Sequence, residues 1–111
     1  MKKWLVCLLF VPAMARAEFE TGNMLYQKMI STNVSDKMYA LGYVAGVFDA
    51  YQHMFHCPPE NSVTLGQVND VVKQHLEVYP AQRHRTADQL VKEALQKVWP
   101  CQNRGGGGNR L

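Results

Sequence analysis

The stretch Met38–Cys57, MYALGYVAGVFDAYQHMFHC, decides the fold, because it has the length and composition of one long helix that runs into a cysteine. No charged residue interrupts it from Met38 to Phe48, and apolar residues cover nearly every face. That pattern is typical of a helix enclosed by other helices. We therefore expect a buried central helix that ends near His56.

Small residues recur every four positions along this helix, at Gly42, Gly46 and Ala50, where another backbone can come close. Each glycine costs a helix roughly 1 kcal/mol, so packing must favour them. Asp49 places a carboxylate in the apolar run, where an unpaired buried charge would be costly. We expect Asp49 to be paired for structural reasons, with partner binding or catalysis as the alternative. The predicted structural core includes Gly42, Tyr43, Gly46 and Asp49.

Residues 1–17 have the pattern of an export signal: basic Lys2 and Lys3, an apolar run over 4–13, and Ala15-Arg16-Ala17 as a cleavage site. An uncleaved anchor is the alternative, but the apolar run is well short of the ~20 residues that span a bilayer. We expect a cleaved, exported protein, with no membrane association afterwards.

Cleavage changes the charge balance, because three of the twelve basic residues leave with the signal and all nine acidic residues stay. The remaining chain carries nine of each, so its net charge is near zero. A neutral domain lacks the basic footprint that nucleic-acid binding requires. We predict no nucleic-acid partner.

The exported domain would have one cysteine pair, Cys57 and Cys101, since Cys7 lies in the signal. Removing 17 of 111 residues leaves 94, enough for one small domain with a marginal core. An oxidising compartment allows the two thiols to join. Closing that loop would stabilise the fold by about 4 kcal/mol.

Helix start signals divide the rest of the chain. Thr21 caps a first helix within 18–30, and Ser35 is the expected cap of the central helix. Thr64–Gln67 and Thr86–Gln89 both match a capping box, in which cap and third residue satisfy each other's backbone donors. Thr64 and Gln67 therefore join the predicted structural residues. The prolines that end the last two helices are Pro80 and Pro100.

These signals predict an all-α class: a small four-helix domain in which one disulfide joins the end of the central helix to the end of the last. The organisation is an export signal at 1–17, a helical domain at 18–101 and a flexible glycine-rich tail at 102–111. A phosphate-binding loop in the tail is the alternative, but the required strand and lysine are missing.

Metal or catalytic chemistry would have to use His53, His56 and Cys57, with His75 or His84 completing a metal site. Their spacing matches no familiar zinc pattern, and a bridged sulfur cannot act as a nucleophile. No serine lies in a nucleophile-elbow pattern. We predict no metal, no cofactor and no enzymatic activity.

Two exposed, rigidly mounted segments are candidates for a contact surface. One is the loop between the last two helices, where polar donors follow an aromatic residue, and the other is the proline turn after the central helix. An ordinary solvated surface is the alternative. The candidate contact residues are Pro59, Glu60, Asn61, Tyr79, Gln82, Arg83, His84 and Arg85.

The sequence resembles the Rap/Tai family of type VI secretion immunity proteins, in an ordered set of short motifs across most of the exported chain. The residues that carry the resemblance are Gly42–Ala50, Cys57-Pro58-Pro59, Val63–Gln67, Leu76, Tyr79-Pro80, Arg83-His84, Ala87, Leu90-Val91, Ala94-Leu95 and Trp99-Pro100-Cys101.

This resemblance implies an all-helical, non-catalytic periplasmic protein that binds and occludes a papain-like peptidoglycan amidase toxin, and that forms a homodimer. The candidate contact residues would then be toxin-binding. The alternative function is a small periplasmic acid-stress chaperone, which would bind many unfolded clients at low pH where an immunity protein binds one toxin in a fixed ratio.

One departure from the family pattern concerns a second cysteine pair. Relatives commonly carry a cysteine just before the glycine of the GYV motif and a partner in the first helix. This chain has Ala40 and Leu41 there and no cysteine between Glu18 and His56. We expect the first helix to depend on other contacts.

Overall fold

The computed structural model describes residues 19–59 and 62–102, and these residues form four helices. The helices are α1 (Gly22–Ile30), α2 (Val34–Tyr51), α3 (Leu65–Val78) and α4 (Ala87–Val98), with a 3-10 turn over Pro80–Gln82. Only isolated β-bridges occur besides them in this part of the chain. The predicted all-α class and its four helices are confirmed.

Several predictions fall on residues outside those described. They concern the export signal at 1–17, Glu60 and Asn61 of the proline turn, and the tail beyond Gln102. These stay predictions. Among the residues that are described, no helix combines the length and the apolar character needed to cross a membrane.

The helix starts follow the predicted caps in two cases. The Thr21 hydroxyl accepts a hydrogen bond from the amide of Met24 at 3.2 Å and caps α1. Thr64 and Gln67 form the predicted capping box of α3: Gln67 N donates to Thr64 Oγ1 at 3.1 Å, and Thr64 N donates to Gln67 Oε1 at 2.7 Å.

The other two predicted caps are wrong. Asn33 rather than Ser35 caps α2, because its side-chain oxygen accepts from the amide of Ser35 at 2.8 Å. Thr86 makes no side-chain capping bond for α4. Instead the first amide of α4, that of Ala87, donates to the backbone oxygen of Glu20 at 2.8 Å. A contact with the segment before α1, and not the threonine side chain, thus satisfies a free amide at the start of α4.

One apolar core joins all four helices. Its residues are almost wholly inaccessible to solvent and include Leu25 of α1, Val44 of α2, Val72 of α3, and Val91 and Leu95 of α4. α2 contacts each of the other three helices. The helix is central in this sense, as the sequence predicts.

The expectation that α2 is enclosed on all faces is wrong. Ala40, Val44 and Val47 face the core, whereas Gly42, Gly46, Asp49 and Ala50 are exposed on the opposite side. The other three helices all pack against one side of α2. A Cβ atom added at Gly42 or Gly46 would meet no atom within 4 Å. These two glycines and Asp49 are therefore not core residues, although Tyr43 is half-buried against the core.

α2 ends at Tyr51, earlier than predicted, because the chain doubles back to bury His56. The turn passes through His53 with a positive φ of 69°. The His56 ring then stacks on Phe48 at 4.9 Å between centroids, and its Nε2 donates to the Phe48 carbonyl at 3.1 Å. His56 thus caps the carboxyl end of α2 from inside the core, by binding a carbonyl of its last turn.

The predicted disulfide between Cys57 and Cys101 is present, with their Cα atoms 4.8 Å apart. Beside it the amide of Cys57 donates to the Trp99 carbonyl at 2.8 Å. Together these bonds fasten the segment after α2 to the segment after α4.

Backbone pairing holds α1 in place without the second cysteine pair of the relatives. Gly22 N donates to the Arg85 carbonyl at 2.9 Å, and Asn23 N donates to the Arg83 carbonyl at 2.8 Å. A Cβ at position 22 would lie 2.9 Å from the Arg83 oxygen and would also collide with the Leu90 side chain. Only glycine permits this close approach.

Removing the disulfide should destabilise the fold by about 4 kcal/mol, because the bond closes a loop of 44 residues in the unfolded chain. Urea unfolding of the double variant Cys57→Ser, Cys101→Ser measures the loss. Oxidised and reduced wild-type protein provide a matched pair without any substitution. Equal unfolding free energies in all forms would contradict the expectation.

Stability should fall as the pH drops below the ordinary histidine value of 6.5. Burial lowers the pKa of His56, with the hydrogen bond to Phe48 opposing and nearby His53 adding to the decrease. The unfolded chain therefore binds a proton that the folded chain resists, and the unfolding free energy changes by at most about 1.4 kcal/mol per pH unit for such a group. Above pH 6.5 this contribution should be constant.

Urea unfolding between pH 7.5 and 5 tests this dependence. His56→Gln should reduce the decrease below pH 6.5 without abolishing it, because burial also lowers the pKa of His75. His84→Gln, at an exposed position, should leave the decrease unchanged. A slope that the His56 variant retains in full would contradict the assignment.

Candidate functional site

The loop between α3 and α4 presents some of the predicted contact residues to solvent and not others. The chain leaves α3 at Tyr79, passes through the 3-10 turn and reaches α4 at Ala87. Tyr79, Gln82 and His84 are exposed, whereas Arg83 and Arg85 are half-buried. The predicted cluster of donors thus divides into outward and inward members.

Arg83 braces the loop from inside. Its Nε donates to the carbonyl of Leu76 in the last turn of α3 at 2.7 Å. Its guanidinium carbon lies 4.0 Å from the centroid of the Tyr26 ring of α1, a cation–π distance. Arg83 therefore joins α1, α3 and the loop, and its guanidinium is already engaged within the fold.

Arg85 fastens the other end of the loop to α4. Its Nη1 donates to Glu93 Oε1 at 3.1 Å and to Gln82 Oε1 at 3.2 Å, and its Nη2 pairs with Glu93 Oε2. This two-pronged ion pair is the main reason that the pKa of Glu93 lies below its usual value. The loop is thus held at both ends by arginines.

Tyr79 is fixed on the outer surface by residues of both helices. Its ring packs against His75 with centroids 4.8 Å apart, and Lys97 Nζ donates to its hydroxyl at 3.1 Å. Burial, followed by the charge of Lys97, lowers the pKa of His75, while Glu93 at 3.9 Å acts in the opposite direction. His75 is therefore neutral at neutral pH and packs as an aromatic ring.

An apolar groove lies beside Tyr79, between α3 and α4. Its volume is about 180 Å³, and it is open to solvent. Val78 of α3 and Val98 of α4 stand at its edge with 57% and 49% of their surfaces exposed. The lining residues are Val71, Gln74, His75, Val78, Tyr79, Ala94, Lys97 and Val98. We call this groove together with the loop Tyr79–Arg85 the α3–α4 face.

The groove could not be predicted from the sequence, because helical spacing alone does not show where two helices separate. The available signal was the spacing of seven residues between Val71 and Val78, which puts both on one side of α3.

The second predicted contact segment is only partly described. Pro59 is exposed in the connection between α2 and α3, and Glu60 and Asn61 fall outside the described residues. Where the structure is described, no hydrogen bond joins Pro59 to the loop Tyr79–Arg85.

The chemistry of the α3–α4 face is suited to recognition of another protein. It combines a fixed aromatic ring with an apolar groove, and both are features of interface centres. Within 19–59 and 62–102, no group of three or more histidine, cysteine, aspartate or glutamate side chains could hold a metal ion. The sulfur of Cys57 is bound to Cys101.

The helical part of the chain matches a known protein family. Residues 21–101 match the family model described as Rap1a immunity proteins, a range that includes all four helices and both cysteines of the disulfide. No curated protein matches the chain. Since the match covers far more than half of its 111 residues, the chain belongs to the family of Rap1a immunity proteins.

Proposed function

We propose that this protein is a periplasmic immunity protein that binds a peptidoglycan amidase toxin delivered by type VI secretion and covers its active site. Membership of the immunity family is the observation that carries the proposal. The protein acts by binding alone, without catalysis. Its partner is the cognate amidase.

The α3–α4 face is the proposed toxin-binding surface. A protein that blocks an active-site groove needs a projecting element that is rigid and keeps its conformation on binding. Arg83 and Arg85 supply that rigidity, because each fastens the loop to a neighbouring helix. Gln82, His84 and Tyr79 then face outwards at low entropic cost, since the loop is already ordered before binding.

The periplasmic location rests on the export pattern at 1–17 and on the disulfide. Structural disulfides persist in oxidising compartments and are rare in the cytosol. Cleavage after Ala17 would place the start of the exported chain four residues before α1. The amidase acts on peptidoglycan, so protection is needed in the same compartment.

We also propose that the protein forms a homodimer through the exposed side of α2. This side carries Met38, with 60% of its surface exposed, followed by Gly42 and Gly46, and no charge occurs on it before Asp49. Uncharged small residues on an open helix face allow a second helix to approach closely. In a two-fold dimer the same patch serves both copies.

Changing the outward residues of the loop should weaken toxin binding without affecting folding. We expect the double variant Gln82→Ala, His84→Glu to bind the amidase at least tenfold more weakly, because both side chains are exposed on the ordered loop. Isothermal titration calorimetry with the cognate amidase measures the effect. Tyr79→Ala should have a similar effect.

The matched control is Gln27→Ala, at an exposed position beside the connection between α1 and α2. It should bind as the wild type does. Arg83 and Arg85 are unsuitable for this test, since their replacement would also loosen the loop. Wild-type affinity in both loop variants would exclude the α3–α4 loop from the toxin contact.

A bulky residue on the open side of α2 should separate the dimer and leave the monomer folded. Gly46→Leu adds a side chain that meets nothing within the monomer and raises helix propensity, so thermal stability should not decrease. Sedimentation velocity should show the variant as a monomer and the wild type as a dimer. The control Gly66→Leu, on α3, should remain dimeric. A dimeric Gly46 variant would contradict the α2 interface.

A further inference from the structure

A second cleft opens on another part of the molecule, where the segment before α1 meets α2 and the start of α4. It encloses about 570 Å³ and shares no lining residue with the groove of the α3–α4 face. Its lining residues are Phe19, Glu20, Tyr39, Tyr43, Thr86, Asp88, Gln89 and Lys92. Aromatic rings and carboxylates therefore face the same space.

The two carboxylates of the cleft differ in their partners. Glu20 accepts hydrogen bonds from Lys28 Nζ at 2.9 Å and from the Tyr39 hydroxyl at 3.2 Å, so its charge is compensated. Asp88 has no cation within 4.0 Å among the described residues. The cleft thus contains one carboxylate whose charge is not neutralised by an ion pair in the described part of the chain.

Lys92 lines the cleft but is directed elsewhere. It follows Asp88 by one helical turn, a spacing that often gives an ion pair. Its Nζ instead lies 4.4 Å from the centroid of the Tyr51 ring and 4.8 Å from that of Phe55. The rings at the end of α2 hold this ammonium, and Asp88 remains available.

The pKa of the Tyr43 phenol is sensitive to the negative charge of the cleft. Burial is the first cause that raises its pKa to about 12, and the charges of Asp88 and Glu20 are the next two. The same charges that disfavour a phenolate favour a cation in this space. Tyr39, which is half exposed, has Lys28 Nζ 4.6 Å from its ring centroid on one face, so the other face of the ring is the one available to a ligand at the opening.

We propose that this cleft binds the arginine side chain of a partner protein. A guanidinium is planar, so it can donate two parallel hydrogen bonds to Asp88 while its face packs on a tyrosine ring. An ammonium would satisfy the carboxylate but would use the rings less well. The surface is separate from the proposed toxin-binding face and does not depend on the toxin's identity.

An NMR titration of the folded protein with N-acetyl-arginine methylamide tests the proposal. Saturable shifts are expected at the backbone amides of Tyr43, Asp88 and Gln89, with millimolar affinity. N-acetyl-citrulline methylamide, which has nearly the same shape but no charge, should bind at least fivefold more weakly. Asp88→Asn should weaken arginine binding by a similar factor, while Asp70→Asn on exposed α3 should not change it.

Three results would overturn the proposal: no saturable shift at the cleft, equal binding of the arginine and citrulline probes, or unchanged arginine binding in the folded Asp88 variant. If Asp88→Asn disturbs the spectrum as a whole, Tyr39→Ala provides the second test. Tyr39 is half exposed, so the fold should tolerate its loss. Arginine binding that survives this variant at full strength would equally exclude the site.

Discussion

The close approach of Gly22 to the loop after α3 is the constraint on which the rest of the structure depends. Two backbone hydrogen bonds join Gly22 and Asn23 to Arg85 and Arg83, and a third joins Glu20 to the first amide of α4. These bonds position α1, start α4 and fix the loop in a single set of contacts. A side chain at position 22 would push α1 away from the loop and from α4, because it would meet both the loop backbone and Leu90.

This constraint also explains how the domain holds α1 with one disulfide. Cys57 and Cys101 fasten the ends of α2 and α4, at a distance in sequence from α1. α1 is held instead by main-chain pairing and by burial of Leu25. Because backbone bonds are insensitive to side-chain identity apart from the glycine, the cysteine pair of the relatives can be absent without leaving the helix unsupported.

Much of the fold could be predicted from the sequence because its signals are local. The cap at Thr21, the capping box at Thr64 and the disulfide follow from residue chemistry and cysteine number. The orientation of α2 could not be predicted in this way, since an uncharged helix has the same composition whether its glycines face another helix of the chain or solvent. Thr86 misled for a related reason: the start of α4 is held by a distant carbonyl, that of Glu20, which accepts from the first amide of the helix, and not by the threonine side chain.

The candidate site likewise has features that local sequence signals predict and features that depend on packing. Prolines and capping motifs locate the loop, and Tyr79 and His84 are exposed there. The sequence does not show which donors remain free, because the guanidinium groups of Arg83 and Arg85 find their partners on other elements. Likewise, the groove exists only because α3 and α4 separate beside Tyr79. Such features depend on three-dimensional packing and leave no periodic pattern in one helix.

The exposed side of α2 and the α3–α4 face are separate surfaces, and this separation bears on how a dimer could bind toxin. No residue of α2 lines the groove of the α3–α4 face. Association through the exposed side of α2 would therefore leave both loops open, and each copy of the dimer could meet a toxin molecule independently. The apolar run of α2 then has two uses: Ala40, Val44 and Val47 build the core, and the small residues opposite them are available for the second copy.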